Sequence, residues 1–393
     1  MKQSTAEMTL SSLAEVFADI PDQRKPKGRR YALPPLLILL SLAKFCQQDT
    51  PAALTDWVCH RGDLLKEKLA LAWKRRPSAS TWQRWLGQNI PAAVLDEKVG
   101  AYFQVLSATD KQLYNLDGKV VCGTVEAASG SQLHLLALQE AATNTVVEQT
   151  AFAPGENEIS AAKRLVEKAP VQNKLLSGDA IFAQQELSRR IVERGGDYLW
   201  KLRAHQGGLY QAAVAPLAAG ADRYLDRATS VEKGHGRLDE RELVSSFRLA
   251  GSLEFPYLEQ VFRVRRKSVE VKSGKVSEQT IYGITSWSVA EAGAQELLAA
   301  TRGHWGIETG LHYRRDVTFH EDACRHTTKN GGRVQAIFNN LTIGILRKLG
   351  WENMAQARRY FEARVDDALN LIDVQYWKHF NYQHWKPSTC QDG

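Results

Sequence analysis

A chain of 393 residues, 44% of them hydrophobic, can form one large domain or a core with one or two accessory units. Its 51 basic and 44 acidic residues leave a formal charge of +7 and a pI near 9.0, which favours a polyanionic partner only if the excess gathers on one face. Cys46, Cys59, Cys122, Cys324 and Cys390 include no CxxC pair, so a zinc ribbon or redox motif is excluded and a reducing cytoplasm is expected. Leu33 to Ala43, the most apolar stretch, is about half a bilayer span and contains Pro34 and Pro35, so it reads as a buried helix rather than a membrane segment. The opening MKQSTAEMTL lacks the apolar region and cleavage site of a signal peptide.

Over residues 1–110 the spacing predicts helices, with apolar residues recurring in SSLAEVFADI, LLILLSLAKFC, AALTDWVCH, TWQRWL and AAVLDEKVGAYFQVL. Two basic stretches punctuate them. PDQRKPKGRR carries Arg24, Lys25, Lys27, Arg29 and Arg30, and AWKRRPSASTWQRW carries Lys74, Arg75, Arg76 and Arg84. Each stretch read alone is an exposed linker.

From residue 111 the period changes. LYNLDGKVVCG, SQLHLLALQE and TVVEQTAFA read as strands, followed by helix NEISAAKRLVEKA, strand KLLSGDA, helix QQELSRRIVERGG and strand DYLWKLR. This order, through residue 203, predicts an α/β fold with a mixed sheet and helices on its faces. Residues 204–288 are strand-rich and charged, and residues 289–350 return to helix, so a β-rich insertion is expected before the last helical part of the core. Residues 351–393 are expected to be a helical tail.

Three acidic residues stand out. Asp117 follows YNL and precedes a glycine, Asp179 ends the apolar KLLSG, and Glu308 lies on a helix where His304, Glu308 and His312 are four apart and share one face. A carboxylate at a strand end is more commonly a turn or cap residue, and a His–Glu–His stripe suits a solvated face equally well. Zinc is disfavoured for the stripe, because ligands at i, i+4 and i+8 of one helix do not wrap readily around a tetrahedral ion. Trp305 and Trp287 read as core aromatics.

Taken together, LDGK, ENEISA, SGDAIFAQQELSRRIVERGGDYLWKLRAHQ, HGRLDER and HWGIETGLHYRRDVTFHEDACR, in that order, resemble the motifs of the ISAs-type, or H-repeat-associated, DDE transposases of bacterial insertion sequences. PDQRKPKGRRYALPPLL and PSASTWQRWL extend the resemblance toward the N-terminus, so that it spans about residues 8 to 350. It implies a ribonuclease-H-like core in which Asp117, Asp179 and Glu308 form a catalytic, metal-binding triad, with a β insertion between the second and third. It also implies a helical N-terminal DNA-binding and assembly domain.

Phosphodiester cleavage needs an activated nucleophile and a stabilised leaving oxygen, and two ions can serve both ends of an in-line displacement. Hard carboxylate oxygens suit Mg²⁺ or Mn²⁺, so two such ions are the expected cofactors. Related transposases carry a basic residue four before the glutamate and another seven after it; His304 and Arg315 stand there. They join Arg29, Arg30, Arg75, Arg76, Lys119, Arg265 and Arg266 as the expected DNA contacts. Cys122, His205 and Thr309 depart from the family's usual residues without touching the triad. The expected partners are double-stranded DNA, as element ends and target, and further copies of the chain in a dimer or larger assembly, in a cytoplasmic, nucleoid-associated setting. Two alternatives stay open: a DNA-binding or assembly protein that no longer transposes, and a metal nuclease without strand transfer.

Overall fold

The computed structural model describes residues 11–25, 29–71, 73–106, 112–125, 131–218, 224–234, 236–251, 254–325 and 330–371. Lys27, Cys390 and residues 372–393 of the expected tail lie outside the described residues. Six helices come first: α1 (Ser11–Ala18), α2 (Leu33–Phe45), α3 (Pro51–His60), α4 (Gly62–Lys68), α5 (Ala79–Arg84) and α6 (Ala92–Leu106). In α2 the two prolines occupy the first turn, where the missing N–H groups break no helical bond, and residues from Leu36 to Phe45 are buried. Thr50 caps α3 by accepting a hydrogen bond from the Ala53 amide at 3.1 Å.

The sheet begins with β1 (Gln112–Val125), β2 (Gln132–Glu140) and β3 (Thr145–Ala151), an antiparallel meander. It continues through α7 (Glu158–Lys168), β4 (Lys174–Gly178), α8 (Gln185–Glu193) and β5 (Asp197–Leu202), with β4 parallel to both β1 and β5. The order β3-β2-β1-β4-β5 is the mixed, helix-flanked core that the resemblance implies.

The expected insertion is present but is not a separate unit. Its strands β6 (Leu225–Gly234), β7 (Arg237–Ser246), β8 (Gln260–Glu270) and β9 (Val276–Thr285) follow α9 (Gly207–Ala218), and β9 pairs antiparallel with β5. One continuous nine-stranded sheet results, with order β3-β2-β1-β4-β5-β9-β8-β7-β6. Helix α9 is an element that the strand-rich reading of this segment did not include. It starts at Gly207–Gly208 and contains Pro216, all helix-weakening, and is held by burial of Ala213 and Leu217 and by the edge contact of Tyr210 with Tyr282.

Helix α10 (Ala294–His304) then leads into two π-helical turns, Glu308–His312 and Arg314–Thr318, and on to α11 (Gly331–Lys348), α12 (Met354–Ala363) and α13 (Val365–Leu371). The N-terminal helices do not form a core of their own. A single buried cluster runs from Leu13 and Phe17 through α2 and α6, the sheet residues Leu116, Leu136 and Val147, and α11, to Leu369. Polar ties reinforce this junction: Asp96 of α6 accepts from Gln149 of β3 at 2.8 Å and from Arg333 of α11 at 2.7 Å. No helix among the described residues is long and apolar enough to cross a membrane.

Candidate active site

The sheet register sets the first two acids side by side. The parallel pairing of β1 with β4 ends at Leu116↔Gly178, so Asp117 and Asp179 are the next residues on adjacent strands. On the other side of β4 the pairing ends at Gly178↔Trp200, which brings Lys201 of β5 to the same level. Asp117, Asp179 and Lys201 thus form a row across three neighbouring parallel strands, at the carboxyl ends of β4 and β5 and where β1, which runs on to Val125, leaves its pairing with β4. Lys201 Nζ lies 2.9 Å from Asp179 Oδ1, and Arg203 stands 3.8 Å from Oδ2.

The third acid arrives from the opposite direction. His304 Nε2 is 3.5 Å from Asp179 Oδ1, and His312 Nδ1 is 3.5 Å from Asp117 Oδ2. Each histidine of the stripe therefore faces one aspartate, and exposed Glu308 lies between them in sequence, near enough for its charge to act on Asp117 and His304. The backbone carrying it is π-helical rather than the α-helix expected, a conformation that is rare and concentrates at functional sites.

Below the acids a buried polar relay fixes His304. Ser177 Oγ is 2.9 Å from His304 Nδ1 and 2.7 Å from Asn115 Oδ1, while Asn115 Nδ2 donates to the Gly303 carbonyl at 3.0 Å. Ser177, Asn115 and Gln139 are fully buried, and Asn115 Nδ2 also donates to Gln139 Oε1 at 3.3 Å, so the relay ties β1, β2 and β4 to the end of α10 by direct hydrogen bonds.

The two aspartates have opposite proton affinities. Asp117 is pushed up to about 7, first by burial, then by Asp179, Glu158 and Glu308, against one hydrogen bond from the Gly118 amide. Asp179 is held well below the usual carboxylate range, first by His304 and then by Lys201, in spite of burial. His312 is driven down to about 3 by burial, with Arg315 and Lys119 adding to the effect, and is neutral at pH 7. His304 is lowered too, by burial above all.

Glu158, the first residue of α7, is a further acid of this neighbourhood that the sequence reading quoted within ENEISA but gave no role. Burial raises its pKa, with Asp179 the next contributor. Lys201, in DYLWKLR, was likewise passed over. Its signal is positional, near the end of the strand that follows the second aspartate.

Several expected DNA contacts are engaged elsewhere. Arg315 is fully buried and bound to Glu321 through Nε at 2.9 Å and Nη2 at 2.6 Å, with Asn339 on the same carboxylate. Lys119, 8% exposed, has Nζ 2.6 Å from Asp316 Oδ1 and 3.7 Å from Asp322 Oδ2. Among the described residues, Asp316, Glu321 and Asp322 are the acids whose ligand atoms all lie within 4.8 Å of one another. Lys119 and Arg315 already engage all three carboxylates and offset two of their charges, so the group clamps β1 to the segment after Glu308. Lys119, Arg315 and the buried His304 therefore correct their reading as phosphate contacts: each is held internally and shapes the site.

The remaining basic candidates divide. Arg30, Arg75 and Arg76 are exposed, and Arg76 reaches the Cys59 carbonyl and Asp63. Arg29 is half-exposed and donates to the carbonyls of Arg24 and Asp22, bracing the loop before α2. Arg265 points outward and pairs with Glu278, whereas its neighbour Arg266 turns to the other sheet face, pairs with Asp239 and lies 4.6 Å over the Trp305 ring. Trp305 is half-buried and lines a cavity with Phe262, Val264 and Arg266; Trp287 packs against the smaller core cluster. Cys122, His205 and Thr309 are all exposed and none replaces an acid of the site. The four cysteines among the described residues are free thiols.

A carboxyl-end site of clustered acids on a mixed, helix-flanked sheet defines the ribonuclease-H-like class of nucleic-acid-processing enzymes. The family described as "Transposase DDE domain" matches residues 122–344, and the associated family, "DDE_Tnp_1-associated", matches residues 14–102. The chain belongs to the DDE transposase family. The first match contains Asp179 and Glu308 and begins five residues after Asp117. The chain is 25% identical over 353 residues to the "H repeat-associated putative transposase YhhI" of Escherichia coli K12, covering 86% of this chain and 91% of that protein. It is 33% identical over 233 residues to an uncharacterised protein in the dhlA 3′ region of Xanthobacter autotrophicus, covering 58% of this chain and 78% of that protein.

Proposed function

We propose that the chain binds the ends of its own element and catalyses metal-dependent cleavage and strand transfer at the site of Asp117, Asp179 and Glu308. The observation that supports this reading is the register: after Leu116↔Gly178, Asp117 and Asp179 are neighbours on adjacent strands, and His304 and His312, which flank Glu308 in sequence, each stand 3.5 Å from one of them. The donor set suits Mg²⁺ or Mn²⁺, since the oxygens are carboxylate, and of the two causes that raise Asp117 toward 7, burial first and then neighbouring negative charge, the second is what divalent cations would offset. Bound there, two ions would activate a water or 3′-hydroxyl and stabilise the leaving oxygen.

The protein's own groups orient these acids. His304, fixed by Ser177, and Lys201 hold Asp179 in its ionised form, and His312, neutral and buried, steadies Asp117. The clamp of Lys119 and Arg315 onto Asp316 and Glu321 keeps the π-helical segment against β1, and so keeps Glu308 at the strand ends. Asp117→Asn, Asp179→Asn and Glu308→Gln should each lower cutting of cognate ends by several orders of magnitude while end binding in a gel-shift assay is retained. Undiminished cutting in chelator, or cutting that survives all three substitutions, would overturn this mechanism.

A further inference from the structure

We infer that Glu158 is a fourth carboxylate of the cation site, acting together with Asp117, Asp179 and Glu308. The inference rests on the triad reading above and extends it to a residue on a different element. Glu158 is the first residue of α7, whose start is fixed by Asn157: its side chain accepts from the Ser160 amide at 2.9 Å. That cap sets the Glu158 side chain beside β1 at the residue following Asp117.

Gly118 supplies the independent observation. A Cβ built at this position would overlap the Glu158 carboxylate, the nearest group to it, so the glycine of LDGK is the space that this carboxylate uses. Gly118 has ordinary strand pairing with Leu136, and no turn there calls for glycine. The close approach of Glu158 accounts for it.

The pairing of the surrounding acids points the same way. On α7, α8 and the loop before α7, Glu156 binds Arg164, Glu167 binds Arg190, and Glu186 binds Lys163 and Arg190. Glu158 is half-buried and makes no salt bridge or side-chain hydrogen bond among the described residues, with the His134 imidazole the favourable charge near it. Its nearest charges include Asp117 and Asp179, carboxylates that repel it unless a cation lies between them. A glutamate serving only the helix dipole would have no need of the excavated glycine and would face solvent.

The test uses full-length, metal-free protein titrated with Mn²⁺, read by calorimetry and by the loss of free Mn²⁺ in electron paramagnetic resonance. Glu158→Gln should weaken Mn²⁺ binding by between about 10- and 100-fold, as loss of a group at or beside a ligand typically does. The melting temperature of the metal-free protein should stay level or rise, because a like charge has been removed. Gly118→Ala, which displaces the carboxylate without deleting it, should weaken Mn²⁺ binding in the same direction. A purely helix-stabilising role gives the reverse pattern, a lower melting temperature with unchanged Mn²⁺ affinity, and would overturn the inference. Asp117→Asn distinguishes the two levels. If it weakens Mn²⁺ binding and Glu158→Gln does not, the triad stands and the fourth carboxylate falls; if neither has an effect, both readings fall together.

Discussion

Asp117 and Asp179 occupy equivalent places on adjacent strands, yet their carboxyls titrate in opposite directions because their neighbours differ. Asp179 faces His304 and Lys201, whereas Asp117 faces three acids and a histidine kept neutral by burial. The raised value at Asp117 sets the sign of a stability effect. A carboxyl that binds its proton more tightly in the folded state supports folding below its unfolded pKa of 3.8, and that support is lost as pH rises toward about 7. Metal-free protein should therefore lose on the order of a few kcal/mol between pH 4 and 8 through this group alone. Asp117→Asn should abolish that part of the loss, and added Mn²⁺ should offset it in the wild type. Urea melts of the two proteins in chelator at several pH values check this; parallel curves would show that Asp117 is not the strained group. The three acids proposed for the triad could be singled out in the sequence because each sits in a short, ordered motif. Glu158 and Lys201 were not, since their place depends on the approach of α7 to β1 at Gly118 and on the β4–β5 register, both long-range facts.

At the scale of elements, the segment carrying Glu308 takes its shape from what it packs against. Helical spacing placed His304, Glu308 and His312 on one side, but the π turns after His304 could not be read from it, because they arise where the chain lies on the β1–β2–β3 meander. The decisive contact is at Gly310. A Cβ there would overlap the side-chain oxygen of Asn144, which sits in the β2–β3 turn at φ 58° and accepts from Gln139 at 3.1 Å. Gly310→Ala should cost about 1–3 kcal/mol by overpacking and reduce cutting more than DNA binding, because it moves the glutamate rather than the DNA-facing cations. Asn144→Gly, at a left-handed position where glycine is at ease, should restore most of that stability in the double variant. Chemical melts of the two singles and the double form the cycle, and a double variant no more stable than Gly310→Ala would refute the clash. The same dependence on packing hid the course of the insertion. Strand signals in residues 225–285 were legible, but the joining of β9 to β5 into one sheet was not.

For the whole molecule, the excess of basic residues becomes informative only after the internally paired cations are set aside. Arg24, Lys44, Lys119, Arg241, Arg315 and Arg358 are each at most 9% exposed and bound to carboxylates, so they contribute to the charge count but have little surface to offer a phosphate. What remains outward includes Arg30, Lys74 and Arg75 in the loops between the N-terminal helices, Arg84 at the end of α5, and Arg203, Arg265 and Lys267 on the sheet side. Family membership makes DNA the substrate, and phosphate contacts by such residues release counterions, with each contact adding about 0.9 to the slope of log affinity against log salt. Arg30→Ala with Arg75→Ala should weaken end binding and flatten that slope by up to about 2, with the metal-free melting temperature unchanged. Arg265→Ala with Lys267→Ala tests the outer sheet face in the same way. Arg266→Ala serves as the contrast: stacked on Trp305 and paired with Asp239, it should lower stability and leave the salt slope in place. Fluorescence anisotropy of labelled ends across a salt series reads all of these. An unaltered slope in both exposed pairs would return these residues to ordinary solvated surface, and a flattened slope in Arg266→Ala alone would move the DNA path to the opposite face of the sheet, beside the Trp305 cavity.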